Sequence, residues 1–385
     1  MSDEVNEYSA GHIEILEGLE AMRRRPGMYV GSTGERGLHQ MVFELADRPV
    51  NEALAGRAQS VEITLMSDGG VRVADDGPGI PVGAAGDGGE PALEALLTLT
   101  CIGVRPRARH IPVLSPIGVG PCVVNALSSR LTAEVRREGV RWVQTYARGA
   151  AVAPPTAAGT ATGSGTTITF RPDAEIFGTA ECSFAVLAER FRELAFLNRG
   201  LDVALTDERP RADVRSVRFR FPGGTRDFVT LLDARSGAPV HADVIGFEQE
   251  DPRMAGTVEV ALRWYDSPQE RIRGFANSLS TRDGGTQTAG FRDGVTDAIN
   301  AYARRRQLLT ATDPDLGIDR IGEGLMAIVS VKLDRPEFLD ATRDVLGGTE
   351  VRDCVREVVR DHLGRWLESC PEQATAVLDR IIRNV

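Results

Sequence analysis

The segment Val71-Arg72-Val73-Ala74-Asp75-Asp76-Gly77-Pro78-Gly79-Ile80-Pro81 passes from strand-like alternation directly into an acidic turn rich in glycine and proline. Upstream, Val61-Glu62-Ile63-Thr64-Leu65 alternates in the same way, and Ser67-Asp68-Gly69-Gly70 between the two is a hairpin signal. Before the hairpin, Leu38, Met41, Val42, Leu45 and Leu54 fall at helical spacing over residues 38–55, with Pro49 inside the run. A proline there removes a backbone donor and clashes with the preceding turn, so a kink or break is predicted. An earlier amphipathic stretch, Ile13 to Met22, ends at Arg25-Pro26-Gly27.

Downstream, residues 83–89 read as a hinge. A helical run from Leu93 to Leu99 follows, then the basic stretch from Gly103 to His110, the whole predicting a lid. A helix is predicted after Gly118-Val119-Gly120, with strands at 131–136, 141–147 and 166–170 and a helix over 184–196. Phe221-Pro222-Gly223-Gly224 marks a domain boundary. Beyond it, strands at 257–264 and 325–333 enclose a helix near 291–307, and helices over 350–368 and 373–383 close the chain.

The 385 residues suffice for two or three domains, and 42% are hydrophobic. No uncharged apolar run approaches the roughly 18 residues of a membrane span, which excludes a membrane protein. The acidic start from Met1 to Glu7 is the opposite of a signal peptide and places the chain in the cytoplasm. A net charge of −10 argues against a general nucleic-acid coat and leaves any such contact to a local basic patch. The five cysteines form no C-x-x-C pair and read as reduced bystanders. Lys332 is the sole lysine, so any chemistry needing lysine falls to it or is done without.

Six pieces in register, R-P-G-M-Y-V-G (25–31), V-F-E-L-A-D (42–47), N-E-A-L-A-G (51–56), D-D-G-x-G-I-P (75–81), V-V-N-A-L-S (123–128) and R-D-G-G-T (282–286), resemble the N-terminal ATPase and transducer half of the DNA gyrase B family, within the Bergerat ATPase superfamily. The resemblance spans essentially the whole chain. It implies an α+β fold: a Bergerat-type antiparallel sheet backed by helices, then a ribosomal-S5-like transducer. The expected organisation is a dimer arm over residues 1–11, an ATPase-like domain over 12–220 and a transducer over 221–385. The family's metal-binding cleavage domain is not expected within these residues, so strand passage by this chain alone is not expected.

What the resemblance implies for the site is specific. Glu44 matches the general base that activates the attacking water. Arg48 stands where the family carries the asparagine that holds magnesium. Arginine has no lone pair for a cation, and an i,i+4 pair with Glu44 can form directly. Either metal-dependent turnover is impaired, or Arg48 itself neutralises a phosphate. Asn51 replaces an aspartate and Gln40 a histidine that supports the base. Asp76 matches the aspartate that accepts from an adenine amino group, beside Thr166 and Gly79; the plainer role for Asp76 is a turn cap. Pro78 replaces an arginine along one wall. Gly118 and Gly120 survive from the family's phosphate loop, but Leu114, Ser115, Pro116 and Ile117 break it, predicting a poor cradle.

Val104 replaces the lid lysine, and Arg105, Arg107, Arg109 and His110 form either an anion grip or a solvated lid. In the transducer, Ala341-Thr342-Arg343 replaces Gln-Thr-Lys, with Arg343 as the catalytic candidate; arginine and lysine are not interchangeable there. Tyr8 matches the tyrosine that reaches a dimer partner's nucleotide. Arg304-Arg305-Arg306 faces either DNA or solvent.

Three functions follow. The first is a degenerate pseudo-ATPase that binds ATP, another purine nucleotide or a gyrase inhibitor, with magnesium binding impaired, acting as regulator, decoy or self-resistance protein. The second is a pocket repurposed to bind or transform another small molecule, with Glu44 as the natural acid or base. The third is an active ATPase module working with a gyrase-A-like partner. Independently of these, the resemblance implies a homodimer joined through the N-terminal arm.

Overall fold

The computed structural model describes residues 18–83, 93–100, 114, 118–210, 214–232, 237–310, 312–340 and 342–383. The dimer arm with Tyr8, most of the predicted lid, positions 115–117 and Ala341 lie outside the described residues.

In chain order the elements are α1 (Gly18–Arg24), α2 (Gly27–Val30), α3 (Glu35–Leu54), β1 (Val61–Leu65), β2 (Val71–Asp75), α4 (Leu93–Thr98), α5 (Pro121–Ala126), β3 (Ser128–Arg137), β4 (Val140–Ala147), β5 (Ala150–Ala151), β6 (Thr156–Thr160), β7 (Gly165–Pro172), α6 (Ala174–Phe177), α7 (Phe184–Leu197), β8 (Val203–Asp207) and β9 (Arg215–Phe219). There follow α8 (Thr225–Leu232), β10 (Ile245–Asp251), β11 (Gly256–Trp264), β12 (Arg271–Ala276), β13 (Leu279–Ser280), α9 (Thr286–Arg305), α10 (Ile318–Ile321), β14 (Leu325–Leu333), α11 (Thr349–Ser369) and α12 (Pro371–Arg383).

Among the described residues the strands form two sheets. The first has the order β5-β4-β3-β7-β2-β1-β8-β9, with β6 added on β4; the second runs β10-β11-β14-β12-β13. The class is α+β, as the motifs imply, but neither sheet is purely antiparallel. β1 pairs in parallel with β8, and β12 with β14. Each of these pairs joins strands separated by helices, a connection long enough to return the chain in the same direction.

The first core lies between α3 and this sheet. Leu38, Met41, Val42 and Leu45 form the buried helical stripe, and Val61, Ile63, Leu65, Val71 and Val73 form the inward face of the hairpin. The break predicted at Pro49 does not occur: α3 runs unbroken from Glu35 to Leu54 with Pro49 buried inside it. Buried neighbours Leu45, Ala46 and Val50 hold the helix against the sheet, and that burial outweighs one missing backbone hydrogen bond. The second core packs α9 and α11 on one face of the other sheet. A smaller cluster joins Phe196 and Leu197 of α7 to Phe228 of α8 and Ile328 of β14, with the Phe196 and Phe228 rings stacked at 4.8 Å. Strands β5, β6, β8, β9, β10, β12 and β13 are not foreseen by the hydropathy pattern. Cys122, Cys182 and Cys354 are free and buried, and burial pushes the Cys182 thiol up to about 12.

Candidate functional site

A narrow cleft opens between α3 and the first sheet. Leu45, Arg48 and Pro49 of α3 line it, with Val73 and Asp75 of β2, Ile80, Leu96, Pro121, and Thr166 and Ile168 of β7. Its walls are mostly apolar, with one carboxylate and one guanidinium, the composition of a small-molecule pocket.

Strand parity decides which aspartate faces the cleft. Val71, Val73 and Asp75 alternate inward along β2, so Asp75 is buried and Asp76 is turned outward. The assignment of Asp76 to the pocket is therefore corrected to Asp75. Asp76 is exposed, and its Oδ1 accepts the backbone N–H groups of Gln59 (2.7 Å) and Ser60 (3.1 Å). It is a turn cap, but of the 59–60 turn rather than of Gly77–Gly79. Asp75 Oδ1 accepts the Gly77 N–H at 2.9 Å. Burial pushes the Asp75 carboxyl above the usual carboxylate range, against the Gly77 N–H and the nearby Arg48 charge, which pull it down.

Thr166 stands opposite Asp75 in the β2–β7 ladder, and its Oγ1 accepts the Ile80 N–H at 3.2 Å. Only glycine fits before it: at Gly165 (φ +148°) a Cβ would lie 2.3 Å from the Asp75 carbonyl oxygen. Gly79 likewise has φ +76° and would place a Cβ 2.7 Å from the Arg136 carbonyl. Arg137, which no sequence motif singles out, donates from Nη1 to the Gly79 carbonyl at 2.9 Å and fixes this turn from outside.

Glu44 is buried and three donors converge on it. Oε2 accepts the Gly120 N–H at 2.8 Å; Oε1 accepts the Val119 N–H at 3.2 Å and Gln40 Nε2 at 3.1 Å. Gln40 thus still supports the carboxylate. Gly118 and Gly120 have φ +65° and +90°, the left-handed backbone that aims these amides at α3. The Glu44–Arg48 pair that the spacing allows is not formed. Arg48 instead lies 3.8 Å from Glu52, one turn further along α3, because Glu44 is turned to the amides preceding α5.

Asn51 is kept from the cleft by its own helix: Nδ2 donates to the Asp47 carbonyl at 2.7 Å. Asp47, which its place in the sequence does not mark as a site residue, accepts the Leu114 N–H at 3.3 Å and so ties the altered loop to α3. Arg343 does not line the cleft. It sits in a hairpin with φ +62°, its guanidinium carbon 5.8 Å from the Phe338 ring. Arg304 is bound to Asp315 at 2.6 Å, while Arg305 and Arg306 meet Glu368 at 3.2 and 3.4 Å. The triple-arginine run is thus engaged by the chain's own acids. Among the described residues no group of three or more His, Cys, Asp or Glu side chains is placed to hold a metal ion, and no helix is long and apolar enough to cross a membrane.

Comparison with known proteins agrees with this architecture. Residues 224–385 match the family model described as DNA gyrase B. The DNA gyrase B protein of Streptomyces coelicolor is 44% identical over 392 residues, covering 98% of this chain and 57% of that protein. A novobiocin-resistant DNA gyrase B protein of Streptomyces niveus is 42% identical, covering 98% of this chain and 58% of that protein. The chain thus spans somewhat over half the length of these relatives. The crystal structure of the 43K ATPase domain of Thermus thermophilus gyrase B in complex with an aminocoumarin superposes with a TM-score of 0.81 at 34% identity, covering 96% of this chain and 95% of that one. With the motifs, the two-sheet architecture and this end-to-end match in hand, the chain belongs to the DNA gyrase B family, within its N-terminal ATPase and transducer region.

Proposed function

We propose that this chain is a gyrase-B-like module in which nucleotide hydrolysis is weak or lost, and which acts by binding a purine nucleotide or a gyrase inhibitor in the α3 cleft, as a regulator, decoy or self-resistance protein. The supporting observation is the clasp on Glu44. A general base must be free to take a proton from water, and a phosphate cradle must offer backbone N–H groups. Here the carboxylate and the Val119 and Gly120 amides satisfy each other. The next residue, Pro121, has no N–H to offer.

A divalent cation does not suit the residues present. Magnesium takes oxygen ligands, whereas the polar side chain that α3 adds to the cleft lining is Arg48, which only donates, and among the described residues no group of three His, Cys, Asp or Glu side chains could hold a metal ion. No step is therefore assigned through a metal. Asp75 and Thr166, by contrast, suit a heterocycle edge that presents a donor beside an acceptor. That the Thermus 43K domain, 34% identical to this chain, is found in complex with an aminocoumarin supports inhibitor binding as a use of this fold. Dimerisation through the arm around Tyr8 belongs to the same proposal.

The test is phosphate release from magnesium ATP, measured beside the Thermus 43K domain, together with calorimetric titration with novobiocin. The expected result is release at least about tenfold slower, with novobiocin bound. Release at the rate of the Thermus domain would overturn the proposal.

A further inference from the structure

Arg48 and Asp75 face the same cleft as opposite charges, yet they do not pair. Arg48 lies nearest Glu52, at 3.8 Å, which is beyond hydrogen-bond length. Glu52 gives its carboxylate to Arg57 Nε at 2.6 Å. The Arg48 side chain is only 27% exposed, and none of its N–H groups reaches a hydrogen-bond acceptor among the described residues. The guanidinium nitrogens are open to solvent from the cleft, and their planar fork suits a phosphate in two-point contact. Leu45, Ile80 and Ile168 line the same cleft and offer apolar surface to a ring.

We infer that Arg48 is an anion seat: the cleft takes a purine nucleotide whose ring edge meets Asp75 and Thr166 and whose phosphate is held by the Arg48 guanidinium in place of a divalent cation. This rests on the purine-binding reading above and adds to it the charge of the ligand and independence from metal. Because arginine stays protonated at all accessible pH, the seat is permanent, and no cation has to be bound first.

Titration calorimetry of the purified chain with adenosine and with ADP, each in EDTA and in millimolar magnesium, tests this. ADP is expected to bind at least about tenfold more tightly than adenosine in EDTA, with magnesium changing its Kd less than about twofold. Arg48→Gln is expected to weaken ADP at least about tenfold more than it weakens adenosine. Equal binding of ADP and adenosine by the unaltered chain, or ADP binding only with magnesium, would overturn the seat while leaving the purine site intact. Failure of both ligands to bind would sink the two together. An equal loss for adenosine and ADP in Arg48→Gln would show that Arg48 only supports the fold of the cleft, and would also overturn the inference. The comparison of ligands in the unaltered chain does not depend on the variant folding.

Discussion

Glu44→Gln separates a carboxylate that holds the fold together from one that waits for water. In the native chain the two carboxylate oxygens accept Gly120 N–H at 2.8 Å, Val119 N–H at 3.2 Å and Gln40 Nε2 at 3.1 Å in a buried setting. Glutamine keeps one oxygen and turns an NH2 group towards at least one of these donors. One charge-assisted bond is lost, at about 1.5–3 kcal/mol, and the remaining bonds fall to neutral strength. The total is about 3 kcal/mol. For a unit of the size built around the first sheet, each kcal/mol moves Tm by roughly 2–4 °C, so a fall of roughly 6–12 °C is expected. Urea unfolding followed by circular dichroism measures the loss. Hydrogen exchange at the α5 amides localises it, because Glu44 anchors the residues just before that helix. A loss below about 0.5 kcal/mol with unchanged exchange in α5 would refute the clasp, and with it the reason given for weak hydrolysis.

Asp75→Asn should abolish purine or aminocoumarin binding in calorimetry, whereas Asp76→Asn should leave binding within about twofold and cost about 1 kcal/mol from the 59–60 turn; the reverse pattern would restore Asp76 to the site. His241 is buried, with Nε2 accepting the Trp264 N–H at 3.1 Å, and burial, reinforced by the Arg263 charge, lowers its imidazole to about 4. The unfolded chain therefore takes up this proton first as pH falls below about 6.5, and the native state loses up to about 3 kcal/mol between that pH and 4. His241→Gln, which can still accept from Trp264 but does not titrate, should flatten that part of the stability profile. Pro49→Ala should stabilise by about 1–3 kcal/mol in thermal melts, since it restores a backbone donor inside α3. A destabilised variant would mean that the proline ring's packing at the cleft matters more.

Much of the architecture was legible along the chain. The apolar stripe of α3, the alternating strands on either side of Ser67–Gly70 and the long helices α7, α9, α11 and α12 all follow from periodicity, which is a local property of neighbouring residues. Strands β5, β6 and β9 are short or mostly exposed and so carry little apolar alternation to read. The choice between Asp75 and Asp76 is carried by strand parity, since Val71 and Val73 set the inward phase, whereas matching the acidic pair to the family's aspartate pointed to Asp76.

The partners in the cleft belong to tertiary structure alone. Spacing on α3 offers Arg48 to Glu44 and to Glu52 equally, and Asn51 to the cleft as readily as to Asp47. The decision lies with Val119 and Gly120, more than 70 residues away, whose amides take the Glu44 carboxylate once α5 is packed against α3. Chain-local regularities thus determined which elements form and which face of each is apolar. Competition among donors and acceptors brought together only by folding determined which charges are satisfied and which are left facing the cleft.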